Sequence, residues 1–77
     1  MRVTIIPADS VVVVDGVTVD GVLLDGIPAE VHAVQWYGTW GDVEICDPET
    51  HAILENRRIN SFDEYAFVIP LWQQRSV

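Results

Sequence analysis

The stretch VVVVDGVTVDGVLLDGI, residues 11–27, holds three Asp-Gly pairs five residues apart, among runs rich in β-branched residues. Two such runs separated by only Asp15-Gly16 are a strong hairpin signal, because a type I′ turn needs positive φ at both central positions. Asp tolerates that conformation and Gly adopts it freely. Asp20-Gly21 interrupts what would otherwise be one strand, VTVDGVLL, and reads as a bulge or a second tight turn. Asp25-Gly26 reads as the turn that ends the strand, with Pro28 holding the chain out of the sheet. Five is odd and the strand period is two, so successive Asp side chains would alternate faces along a continuous strand. A shared cation would need the chain to bend at each Gly, so turns are the expected role of all three pairs.

Outward from that stretch, RVTII (2–6) reads as a strand ended by Pro7, and ADS (8–10) as a turn. VHAVQWY (31–37) alternates, which puts His32, Val34 and Trp36 on one face and Ala33, Gln35 and Tyr37 on the other. GTWG (38–41) is expected to be a four-residue hairpin loop leading into DVEIC (42–46). DPETH (47–51) is a turn. AILENRRI (52–59) is ambiguous: Ile53, Leu54 and Ile59 suit a last strand, while Glu55 to Arg58 suit a turn within it. Ser61 to Glu64 fit an S-x-x-E capping box. Phe62, Tyr65, Ile69 and Trp72 then form one helical stripe, which predicts a helix over 62–74, kinked near Ala66 to Pro70, or else two short turns broken at Ile69. Such a helix must lay its stripe on the sheet. The expected fold is α+β: a small antiparallel meander of four or five strands, with hairpins at Asp15-Gly16 and Gly38-Gly41. The C-terminal helix is expected to pack on one face, over Trp36.

The chain has 77 residues, enough for a single domain spanning 1–77. At about 0.05–0.15 kcal/mol per residue its stability is roughly 4–11 kcal/mol. Apolar residues make up 49%, which suits a packed core. Net charge is −8, with twelve acids against four bases, all of them Arg. That field repels nucleic-acid phosphates and anionic membranes, and it suits a partner with a basic surface. The single Cys46 cannot form an internal disulfide. No apolar run reaches the roughly 18 residues of a membrane helix, and MRVTIIPADS lacks a signal-peptide core, so a cytoplasmic location is expected.

Residues that carry chemistry are sparse. Cys46 and His51 form C-x4-H, which is not a zinc signature alone, and His32 reads as a hydrogen-bonded sheet histidine. Asp42 and Glu44 share a strand face, but one carboxylate pair among twelve acids carries little weight for acid–base catalysis. Neither a nucleophile motif nor a phosphate-cradling Gly loop is present. No catalytic, metal or cofactor residue is therefore assigned, and the chain reads as non-enzymatic. Trp40 at the loop tip and its neighbour Tyr37 are the candidate partner-contact residues.

The block HAVQWYGTWGDVEI, residues 32–45, resembles a motif of small tailed-bacteriophage and prophage proteins, H-A-V-Q-W-Y-G followed by G-E-V-E-[YF]. The likeness extends in outline to V-D-G-V (14–17), G-I-P-A (26–29) and I-x-x-W (69–72); only the central block is specific. Ile45 replaces a common aromatic, and Asp42 a Glu. The resemblance implies a phage or prophage accessory or structural protein, associated with tail or tail-fibre genes, acting in the host cytoplasm or within the virion. The family carries no established activity, so no functional residue transfers from it. Two alternatives stand beside it: an acidic decoy for a basic host protein, and a small ligand- or glycan-binding module using Trp40 and Tyr37. The apolar run Val11–Val14, facing both sides of a sheet, also makes a homo-oligomer an expectation.

Overall fold

A computed structural model describes residues 1–76. Among them are six strands: β1 (Val3–Ile6), β2 (Val11–Val14), β3 (Val17–Val19), β4 (Val31–Trp36), β5 (Gly41–Cys46) and β6 (Ile53–Ile59). They are followed by one helix, α1 (Val68–Arg75), while single 3-10 turns span Pro7–Asp9 and Asp63–Tyr65. The class is α+β, with six strands instead of four or five.

The strands are all antiparallel, but their spatial order is β3-β2-β1-β4-β5-β6. Two three-strand meanders are thus joined by the pairing of β1 with β4, and β3 and β4 are not neighbours. The connection explains why. Asp20-Gly21 ends β3 instead of bulging within it, with Gly21 at φ 69. Residues 20–30 then run over one face, where Val22, Leu24 and Ile27 are buried. A turn at Asp25-Gly26, closed by the Ile27 N–H to the Leu24 carbonyl at 3.0 Å, delivers the chain to the free side of β1.

Asp15-Gly16 forms the expected hairpin turn, with φ 48 and 85 and Val14 opposite Val17. The Asp15 carboxylate accepts the Arg2 backbone N–H at 2.9 Å, tying the turn to the start of β1. Val3, Ile5, Val12, Val14, Val34, Trp36 and Val43 alternate onto one buried face. Each such side chain contributes about 1.5–3 kcal/mol when fully buried. In β4 the alternation shifts at a bulge: Val31 opposes Ile45 and Ala33 opposes Glu44. His32 is the extra residue. Val31, not His32, therefore joins Val34 and Trp36 in the core.

Residues 55–58 belong to β6, which resolves the ambiguity of 52–59 in favour of one strand. The helix differs from expectation. Residues 62–67 make only a 3-10 turn, and α1 starts at Val68, so Pro70 is the third residue of its first turn. Its missing N–H would have had no helical partner there, and no kink arises. The capping box does not form: Ser61 Oγ accepts from Asp63 N–H at 3.2 Å, a local turn. The stripe still packs inward, with Phe62, Tyr65 and Val68 buried and Ile69, Leu71 and Trp72 partly so. Phe62, not α1, covers Trp36, with ring centroids 5.5 Å apart.

The two sheet edges are treated differently. β3 is three residues long and α1 reaches over it: Trp72 Nε1–H donates to the Val17 carbonyl at 3.0 Å, and Arg75 Nε–H to that of Asp20 at 3.1 Å. β6 is seven residues long, and Ile53 to Arg58 are all exposed.

Candidate aromatic–arginine contact site

The site is built at the end of the sheet where β4 turns into β5. Gly38 has φ 106, in the left-handed region that lets the chain reverse tightly before Thr39. Tyr37 N–H donates to the Trp40 carbonyl at 2.8 Å, which closes the reversal and sets the two aromatics opposite each other. Gly41 is already within β5, so the loop is shorter than the expected GTWG. A Cβ at Gly41 would run into the Gln35 carbonyl oxygen and the Trp36 ring. The Tyr37 and Trp40 rings meet with centroids 4.7 Å apart at 43°.

The neighbouring strands complete the site. Val3 lies opposite Trp36, so Arg2, one residue earlier, arrives beside Tyr37; its guanidinium carbon is 5.4 Å from the ring centroid. On the other side Arg58 lies opposite Asp42, and its guanidinium carbon is 4.7 Å from the Trp40 ring. Arg2, Tyr37 and Trp40, each one residue beyond the end of β1, β4 or β5, and Arg58 of β6 therefore form a row across this end of the sheet. An exposed cation–π contact contributes about 0.5–1 kcal/mol. A packed aromatic pair adds about 0.5–1.5 kcal/mol. Those contacts hold the row in place while leaving Tyr37 36% and Trp40 37% exposed. Behind the row, Thr4 Oγ1–H donates to Gln35 Oε1 at 2.7 Å, fixing β1 to β4 on the same face.

The row brings together both sequence-predicted contact residues. It adds two that the sequence reading passed over, Arg2 and Arg58. Arg58 was concealed by the ambiguity of 52–59. Arg2 depends on the β1–β4 pairing, which has no local signal.

The other candidates stand elsewhere. His32, Cys46 and His51 line a separate apolar depression with Leu24, Ile27 and Val31. Cys46 is buried, with its thiol 4.0 Å from the Ala29 carbonyl. Among the described residues, no three His, Cys, Asp or Glu side chains gather as a metal-binding group would. Asp15 and Asp25 occupy two separate turns, and Asp20 stands before a bend at Gly21. Burial raises the pKa of Tyr65, helped by the nearby Glu64 carboxylate. No helix among the described residues is long and apolar enough to cross a membrane. Comparison with protein-family models, with curated proteins and with solved structures finds no match to this chain.

Proposed function

We propose that the chain is a non-enzymatic contact module that docks on another protein through Arg2, Tyr37, Trp40 and Arg58. One observation carries this reading: two of the four basic residues of a −8 chain flank its exposed Tyr–Trp pair. Trp, Tyr and Arg are the residue types that dominate binding energy at protein interfaces, and a prepositioned row loses little side-chain entropy on docking. The two guanidinium groups suit a partner loop that offers carboxylates or free carbonyls. The resemblance of residues 32–45 supports a phage or prophage setting, with a tail or tail-fibre protein as partner.

Neither alternative gains a specific observation. The twelve acids are spread over turns and connections (Asp9, Asp15, Asp20, Asp25, Glu30, Asp47, Glu49), strands (Asp42, Glu44, Glu55) and the segment before α1 (Asp63, Glu64), so no single acidic stripe supports a decoy. A sugar ring would meet an indole already carrying Arg58 and leaning on Tyr37.

The test is retention of disrupted virion components on the immobilised chain, compared with a Trp40→Ala, Tyr37→Ala double variant of matching thermal midpoint. The reading expects a tail component held by the parent and lost by the variant. Failure to retain any structural component, or equal retention by both chains, refutes it.

A further inference from the structure

We propose that β6 is the seam of a two-fold dimer, in which two copies of the chain pair antiparallel about Asn56. The inference rests on the strand edge and not on the aromatic–arginine row, with which it shares only Arg58.

The first support is the contrast between the edges. A long unpaired edge strand is a template for another strand, and proteins usually shorten or cover it. Here β3 is short and overlaid by α1, whereas β6 is long and open. Ile53 and Leu54, 51% and 64% exposed, lie on that open edge.

The second support is backbone direction. The bond from Tyr37 N–H to the Trp40 carbonyl fixes the alternation across the antiparallel ladder. It makes residues 41, 43 and 45 turn their backbone groups toward β6, as the Asp47 N–H to Ala52 carbonyl bond at 2.9 Å confirms. Their partners are Ile59, Arg57 and Glu55. The N–H and C=O of Asn56 and Arg58 therefore point outward, unpaired.

The third support is the side-chain pattern. Two identical antiparallel strands related by a two-fold axis must centre on one residue facing its own copy. Centring on Glu55, Arg57 or Arg58 sets like charges directly opposite, which destabilises a sheet. Centring on Asn56 sets Glu55 against Arg57 of the second copy, and Arg57 against its Glu55. Asn56 is also a residue whose backbone groups are free, so the centre itself is a hydrogen-bonded pair. Glu55 and Arg57 already form an ion pair at 2.9 Å within one strand. In the dimer the two pairs merge into a ring of four alternating charges. A bulge at Leu54 limits regular pairing to the central residues. The seam is correspondingly narrow, and the dimer is expected to depend on concentration.

Sedimentation equilibrium over a dilution series, on the full chain, tests this. The expected result is a shift from 8.6 kDa toward about twice that mass as concentration rises. Asn56→Pro removes an N–H that β5 does not use, so it should abolish the dimer and keep the thermal midpoint. Glu55→Arg and Arg57→Glu should each be monomeric alone, because each sets like charges opposite. Mixed in equal amounts they should form a heterodimer, because the charges become complementary again. A parent chain that stays at 8.6 kDa throughout overturns the proposal. So does a dimer indifferent to Asn56→Pro, or a mixture of the two charge variants that stays monomeric.

Discussion

Replacing Gly16 with alanine isolates the physical term on which the first hairpin depends. Gly16 sits at φ 85, and a Cβ built there would meet nothing within 4 Å. The substitution therefore adds no clash. What remains is the conformational penalty of an L side chain in the left-handed region, about 1–2 kcal/mol. Against a total stability of roughly 4–11 kcal/mol that is a substantial fraction. In a domain of this size about 1 kcal/mol moves the melting midpoint by roughly 4–8 °C, so Gly16→Ala should lower it by about 4–16 °C in a calorimetric scan. A synthetic chain with D-alanine at position 16 supplies the control. Its Cβ enters the same open space while its backbone prefers positive φ, so the midpoint should match or exceed that of the parent. Gly41→Ala gives the opposite case, since its Cβ meets the Gln35 carbonyl oxygen, backbone that cannot move aside. It should cost about 1–3 kcal/mol by overpacking. An L-alanine at position 16 that leaves the midpoint unchanged would refute the type I′ turn, as would a D-alanine that lowers it equally.

Pro70→Ala should change stability by less than about 1 kcal/mol, because Pro70 lies in the first turn of α1; a gain near the roughly 3 kcal/mol cost of an interior proline would show that the helix begins earlier. Trp72→Phe removes the indole N–H bonded to the Val17 carbonyl and should cost about 0.5–1.5 kcal/mol in chemical denaturation; no change would mean that α1 does not hold the β3 edge. Burial raises the Tyr65 pKa above its ordinary value near 10, so the fold favours the neutral phenol. That contribution is complete below pH 10 and is lost as pH rises through the folded pKa. The melting midpoint should therefore fall faster above about pH 10 in the parent than in Tyr65→Phe, and equal slopes would contradict the burial of that hydroxyl.

Local chemistry makes much of the fold legible in the sequence. Asp15-Gly16 announced its turn because a two-residue reversal between β-branched runs has few solutions. The stripe Phe62, Tyr65, Ile69 and Trp72 was visible because it repeats at the spacing of a helix. What failed to show depends on contacts distant in sequence or on small shifts of register. Nothing near Val3 or Trp36 says that their strands pair, so the junction of the two meanders was hidden, and with it the approach of Arg2 to Tyr37. The bulge at His32 reverses the facing of Val31, and a strict alternation of two cannot register an inserted residue. Glu55 to Arg58 stayed ambiguous between strand and turn because an edge strand exposed on both sides lacks the apolar alternation by which buried strands are read. The contact site was half legible for the same reason: Tyr37 and Trp40 sit on one hairpin, whereas their arginines arrive from two other strands.

Both the aromatic–arginine row and the solitary open edge depend on β1 lying beside β4. Thr4 faces Gln35 across that junction as a pair without mutual backbone hydrogen bonds, the arrangement in which opposite α-carbons approach most closely. A two-dimensional nuclear Overhauser spectrum of the labelled chain should therefore show a strong contact between the α-protons of Thr4 and Gln35. The absence of that contact, together with α-proton contacts between residues 17–19 and 31–36, would place β3 beside β4 in a simple sequential meander and contradict the account.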